Sequence, residues 1–122
     1  MGKRTILIID DEPGIIRSIG KILIKAGYNV ISALDGIQAT HVAIKEKPDL
    51  IILDIHMPAG TGHKVAARLR ENFKTAAIPI IILSGSVEKE DRKKAEDLGV
   101  DRILSKPFDP NELVHIVKDI LA

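Results

Sequence analysis

Asp10 and Asp54 are carboxylates that stand directly behind apolar runs, Asp11 follows Asp10, Ser84 stands behind a third run, and Lys106 stands one residue past a fourth. Brought within about 4–6 Å of one another, two carboxylates repel by roughly 4 kcal/mol at an effective dielectric near 20. A proton or a cation must relieve that repulsion. A ligand set of oxygens alone, without His or Cys, favours a hard ion, Mg²⁺ or Mn²⁺. Such an ion keeps several waters and readily shares a phosphate oxygen. Lys106 adds a point cation for the same phosphate, Ser84 adds a hydroxyl, and Gly85 leaves space for an incoming group. A central carboxylate with metal on one side, and hydroxyl and ammonium on the other, is suited to accept a phosphoryl group.

These residues must be brought together by strands. Five short runs rich in branched residues recur at Thr5–Ile9, Asn29–Ala33, Leu50–Leu53, Ile80–Leu83 and Arg102–Leu104. Three of them are continuously apolar, the signature of strands buried on both faces of a parallel sheet. Helical segments separate them. Ile15, Ile16, Ile19, Leu23 and Ala26 share one face of the first, with Pro13 in its first turn and Gly27 past its end. Asp35 is the cap of a second, which stops before Pro48. Val65, Ala66, Leu69 and Phe73 mark a third. Glu88 to Leu98 forms a fourth, ended by Gly99. Leu113, Ile116, Val117, Ile120 and Leu121 mark a fifth, opened by the capping box Asp109-Pro110-Asn111-Glu112. The order βαβαβαβαβα with right-handed crossovers gives an α/β fold, a doubly wound five-stranded parallel sheet of the flavodoxin-like (βα)5 type with strand order 2-1-3-4-5. In that order Asp54 lies on the middle strand, between the acids after the first strand and Ser84, at the carboxyl edge where ligands of such sheets bind.

Composition narrows the function. The 122 residues suit one domain, 1–122, with no output domain expected. Lys plus Arg is 18 and Asp plus Glu is 17, a net charge of +1, which provides no global attraction to nucleic acid or anionic membrane. The aromatics are Tyr28, Phe73 and Phe108, too few for a base-stacking platform. No cysteine is present, so disulfides, thiolate zinc sites and cysteine nucleophiles are excluded. No apolar run nears the ~18 residues of a membrane helix, and no signal peptide is visible, so a cytoplasmic location is expected. The acidic first loop is unlike the phosphate loop of a flavodoxin, GxxxxGK[ST] is absent, and His56 stands where an aspartyl phosphatase would carry its second Asp.

The sequence resembles a response-regulator receiver domain of the CheY-like type over essentially its whole length. The matching residues are Ile-Ile-Asp-Asp-Glu-Pro (8–13), Asp54-Ile-His-Met-Pro58 with Gly62 following, Leu83-Ser84-Gly85, and Ser105-Lys106-Pro107-Phe108. The resemblance implies a phosphoacceptor signalling domain rather than an enzyme, one that assists its own phosphorylation and dephosphorylation. It implies that Asp54 is phosphorylated by a sensor histidine kinase or a histidine phosphotransfer protein. It implies Mg²⁺, with Mn²⁺ as a substitute, held directly by Asp11, Asp54 and the His56 backbone carbonyl, with Asp10 assisting through water. Ser84 and Lys106 would contact the phosphoryl group, and Lys106-Pro107 would be a cis peptide. Three residues before the lysine the family usually carries Tyr or Phe, and here the residue is Ile103.

Output is expected through the fourth helix, fifth strand and fifth helix, toward a downstream protein target, as a monomer or as a homodimer promoted by phosphorylation. No direct contact with nucleic acid or membrane is expected. The competing reading is a receiver-like interaction module that is not phosphorylated. His41 and His115 fall on helices as surface residues, and His63 falls in the first turn of the third helix. The charged stretch from Glu88 to Asp97 reads as a solvated helix face.

Overall fold

The computed structural model describes residues 2–57, 61–85 and 89–122. Strands and helices alternate: β1 (Thr5–Ile9), α1 (Pro13–Lys25), β2 (Asn29–Ala33), α2 (Gly36–Glu46), β3 (Leu50–Asp54), α3 (Thr61–Glu71), β4 (Ile80–Ser84), α4 (Lys89–Asp97), β5 (Arg102–Ser105) and α5 (Pro110–Leu121). The strands form one parallel sheet in the order β2-β1-β3-β4-β5, as the periodicity predicts.

Alternation along each strand builds two separate cores. Leu7, Ile9, Ile51, Leu53, Ile80 and Ile82 face one layer, where they meet Ala39 and Ala43 of α2, Val65, Ala66 and Leu69 of α3, and Ala95 of α4. Ile6, Ile8, Leu50, Ile52, Ile81 and Leu83 face the other, against Ile19 and Leu23 of α1 and Leu113 and Val117 of α5. Each fully buried Ile or Leu contributes roughly 1.5–3 kcal/mol of transfer free energy. The sheet is thus a rigid slab whose central strands carry the side chains at its carboxyl edge.

Helix ends follow local chemistry. Pro13 opens α1, and Asp35 caps α2 by accepting from Gln38 N (2.8 Å). Gly27 and Gly99 follow α1 and α4 with φ of 102° and 69°. Asp109 caps α5 by accepting from Asn111 N (2.8 Å), one residue earlier than a capping box requires. The third helix departs from expectation. It ends at Glu71, and Phe73 is 86% exposed instead of joining the Val65, Ala66 and Leu69 face. Asn72 ends it: its Oδ1 accepts from Lys74 N (2.9 Å), and its carbonyl accepts from Thr75 N and Ala76 N. Thr75 takes the buried place, its hydroxyl donating to Leu69 O at 2.6 Å. α4 spans Lys89–Asp97, within the expected range, and Ala95 is its buried anchor among the described residues. Pro58, Val87 and Glu88 lie outside the described residues.

Candidate functional site

Parallel register places the polar residues side by side. Ile9 pairs with Leu53, and Leu53 with Ile82. One residue beyond that row come Asp10 and Asp54, on adjacent strands about 4.8 Å apart. Asp54 itself pairs with Leu83, and Ser84 with Ser105. Lys106 follows directly, its N–H donating to Ser84 O at 2.7 Å, so the lysine is fixed to the end of β4 by the backbone. Lys106-Pro107 is cis, as the resemblance implied.

Both oxygens of each buried carboxylate are engaged. Asp10 Oδ1 accepts from Glu12 N (2.9 Å), and Asp54 Oδ1 accepts from His56 N (3.0 Å). Asp10 Oδ2 and Asp54 Oδ2 both face Lys106 Nζ, at 3.4 and 3.5 Å. Asp10, Asp54 and Ser84 are buried, whereas Asp11 is exposed. Burial holds the Asp10 carboxyl above its ordinary value, the Glu12 N–H and the Lys106 charge oppose the rise, and the Asp54 charge adds to it. The relief that the acidic cluster requires is therefore supplied from within the chain, by one ammonium shared between two carboxylates.

The cluster also fits a hard cation. Asp10, Asp11 and Asp54 each offer one carboxylate oxygen, and these oxygens lie within 4.8 Å of one another. An octahedral Mg²⁺ with Mg–O near 2.0–2.1 Å requires oxygen separations of roughly 3–4 Å, so small side-chain shifts suffice. Oxygen donors without nitrogen or sulfur are the set such an ion prefers. His56 is tied to the Asp54 carboxylate through its backbone N–H, and its ring is on an exposed residue.

Two glycines shape the edge differently. A Cβ on Gly62 would stand 2.5 Å from Ile55 Cα, so only glycine lets α3 approach the end of β3 this closely. A Cβ on Gly85 would meet nothing within 4 Å among the described residues. His41 and His115 are exposed on α2 and α5, away from these carboxylates in the fold, and His63 lies in the first turn of α3. Beside Asp11 lies a cavity of about 360 Å³ that sequence reasoning did not foresee. Leu34, Ile37, Met57 and Val65 line it together with Lys64 and Arg68. Its signal in the sequence is the pair Leu34 and Ile37, apolar residues flanking the Asp35 cap and both exposed.

Residues 6–118 match the family described as the response regulator receiver domain. The chain is 40% identical over 116 residues to the DNA-binding dual master transcriptional regulator RpaA of Synechocystis sp., covering 95% of this chain and 48% of that protein. It is 40% identical over 118 residues to the phosphate regulon transcriptional regulatory protein PhoB of Pseudomonas aeruginosa, covering 97% and 52%. It thus spans about half the length of the curated relatives it matches. Chemotaxis protein CheY4 of Vibrio cholerae superposes with a TM-score of 0.92 at 29% identity, covering 98% of this chain and 99% of that one. The receiver domain of sensor histidine kinase PA1611 from Pseudomonas aeruginosa, solved with magnesium ion coordinated in the active site cleft, superposes with a TM-score of 0.89 at 30% identity, covering 99% and 100%. No helix among the described residues is long and apolar enough to cross a membrane. Strand order, the carboxylate cluster on the carboxyl edge and a family match over nearly the whole chain agree: this protein belongs to the response regulator receiver domains of two-component signalling.

Proposed function

We propose that Asp54 accepts a phosphoryl group from a phosphohistidine of a sensor kinase or histidine phosphotransfer protein, in a reaction that requires Mg²⁺. The observation that carries this reading is the placement of Asp54: on the central strand, 5% exposed, with an ammonium 3.5 Å from one oxygen and two further aspartates beside it. A carboxylate oxygen of Asp54 attacks phosphorus as the P–N bond to the imidazole breaks. The imidazole nitrogen leaves with the bonding pair and takes a proton from solvent, and an acyl phosphate remains on Asp54.

Asp11, Asp54 and the His56 carbonyl would hold the ion, with Asp10 acting through water. When bound, the ion neutralises charge on the phosphoryl oxygens. Lys106 already faces the acceptor, so it needs only a small movement to contact a phosphoryl oxygen, and the Ser84 hydroxyl contacts another. The modification adds about −1.5 to −2 charge, which draws on Lys106 and Ser84. Ser84 leads into the connection to α4 and Lys106 into the connection from β5 to α5, and the surface that responds is α4, β5 and α5. Ile103 is partly buried and packs against the α2–α4 core, so output proceeds by loop and helix position and not by an aromatic side chain. The regulators it is similar to are named as transcriptional regulators; with net charge +1 and three aromatics, we assign this segment the switching and not the contact with DNA.

Incubation with phosphoramidate or acetyl phosphate and Mg²⁺ tests the assignment by intact-mass spectrometry. One phosphoryl group per chain is expected, and none in Asp54→Asn. Labelling of Asp54→Asn at undiminished stoichiometry would overturn it. Failure of wild type to label with either donor would favour the interaction-module reading.

A further inference from the structure

Arg70 lies in the last turn of α3, on the side of the molecule away from the phosphoacceptor, and its guanidinium joins three segments. Nε donates to Leu98 O (3.1 Å) and Nη2 to Gly99 O (3.1 Å), both just past the end of α4. Nη1 donates to Ala76 O (3.0 Å) and Ile78 O (2.7 Å), in the connection that leads into β4. Nη2 also stands 3.8 Å from Asp101 Oδ1, and that oxygen accepts from Ile80 N at 3.1 Å. The side chain is 20% exposed. Four of its five N–H groups are thus spent on backbone carbonyls.

Two of the carbonyls it holds, Leu98 O and Gly99 O, lie in the cap that directly follows α4. α4 closes with Val100 N donating to Ala95 O (3.2 Å) across Gly99 in the left-handed region, the arrangement that leaves the following carbonyls to find outside donors. A cation there also meets the negative end of the helix dipole. A lysine could not reproduce this fork, because its three donors radiate from one point. Nine of the ten residues from Glu88 to Asp97 are charged, and Ala95 is the buried anchor of α4 among the described residues. The carboxyl end of the helix is thus held by Arg70, while in the chain its amino end follows Ser84 and Gly85.

We propose that Arg70 is the anchor about which α4 pivots, a positioning residue that converts movement at Ser84 and Gly85 into rotation of the helix instead of its displacement or melting. This rests on the reading that phosphorylation acts through Ser84. It predicts that change fades along α4 toward Ala95 and is absent from Leu98 to Asp101.

Amide hydrogen exchange on wild type, Arg70→Lys and Arg70→Gln, each with and without beryllofluoride and Mg²⁺, tests it. In the unmodified state, Leu98, Gly99 and Val100 should exchange about tenfold faster or more in both variants, while β1 and β3 amides stay within about twofold of wild type. With the phosphoryl mimic, wild type should change at 89–93 and not at 98–101. In Arg70→Lys the change should spread through 98–101. Wild-type change at 98–101 equal to that at 89–93 would overturn the pivot, as would variants that exchange like wild type. If Arg70→Gln does not fold, Arg70→Lys decides alone. If the mimic changes no amide in wild type, the pivot is overturned, and intact-mass labelling of wild type and Arg70→Lys tells whether the phosphoacceptor reading failed with it.

Discussion

Lys106 Nζ lies 3.4 Å from Oδ2 of Asp10, a carboxylate that is 1% exposed and 96 residues away in the chain. The ion pair neutralises a group that burial disfavours, and the same ammonium reaches Asp54 at 3.5 Å. Removing the lysine should expose that cost. In chelator at neutral pH, Lys106→Met is expected to be less stable than wild type by about 1–3 kcal/mol, limited by proton uptake at Asp10. Urea denaturation measures it, and a variant equal to or more stable than wild type would refute the pairing.

Asp10 itself sets a pH dependence. Its folded-state value is raised by burial above that of the unfolded chain, so the folded protein binds this proton more tightly. Stability then falls as pH rises from the unfolded value through the raised folded one, and the loss is complete above it. Asp10→Asn has no such proton. In chelator it should gain on wild type as pH rises out of the acid range and then hold a constant advantage of about 1–2 kcal/mol. Urea midpoints from acid to neutral pH give the curve, and an advantage that shrinks with rising pH would contradict the burial argument.

Metal binding separates from stability at Asp11, which is exposed. Asp11→Asn should leave the chelated protein within about 0.5 kcal/mol of wild type. Wild type should gain about 2.7 kcal/mol at Mg²⁺ one hundred times its Kd. The variant should show little of that gain at the same concentration. A thermal melt with and without Mg²⁺ reads both, and an undiminished Mg²⁺ response in the variant would remove Asp11 from the ligand set.

Steric contrast between two glycines gives a fourth expectation. Gly62→Ala forces a Cβ to 2.5 Å from Ile55 Cα, and overpacking against backbone should cost about 1–3 kcal/mol or more. Gly85→Ala meets nothing within 4 Å among the described residues and should lie within about 0.5 kcal/mol of wild type. Chemical denaturation of the pair checks it; equal stabilities would mean that α3 can move off β3 freely.

Much of the site was legible because β1, β3 and β4 read as unbroken apolar runs, and a polar residue that follows such a run stands at the carboxyl edge of a parallel sheet. Asp10, Asp54 and Ser84 could be placed that way from residue types alone, and Lys106 by its place just after the short fifth run. Helix starts at Pro13 and Asp35 were equally local, since proline geometry and a capping carboxylate act within one turn. Phe73 was misplaced because helical periodicity cannot see where a helix stops: the Asn72 turn competes with the next helical bond, and the Thr75 hydroxyl wins the buried position. The sharing of Lys106 between two carboxylates, the reach of Arg70 across to Leu98 and Gly99, and the absence of room at Gly62 were decided only by the tertiary structure. Each depends on distances between segments far apart in the chain, which sheet register and helix packing set together, whereas propensity and capping act only between near neighbours.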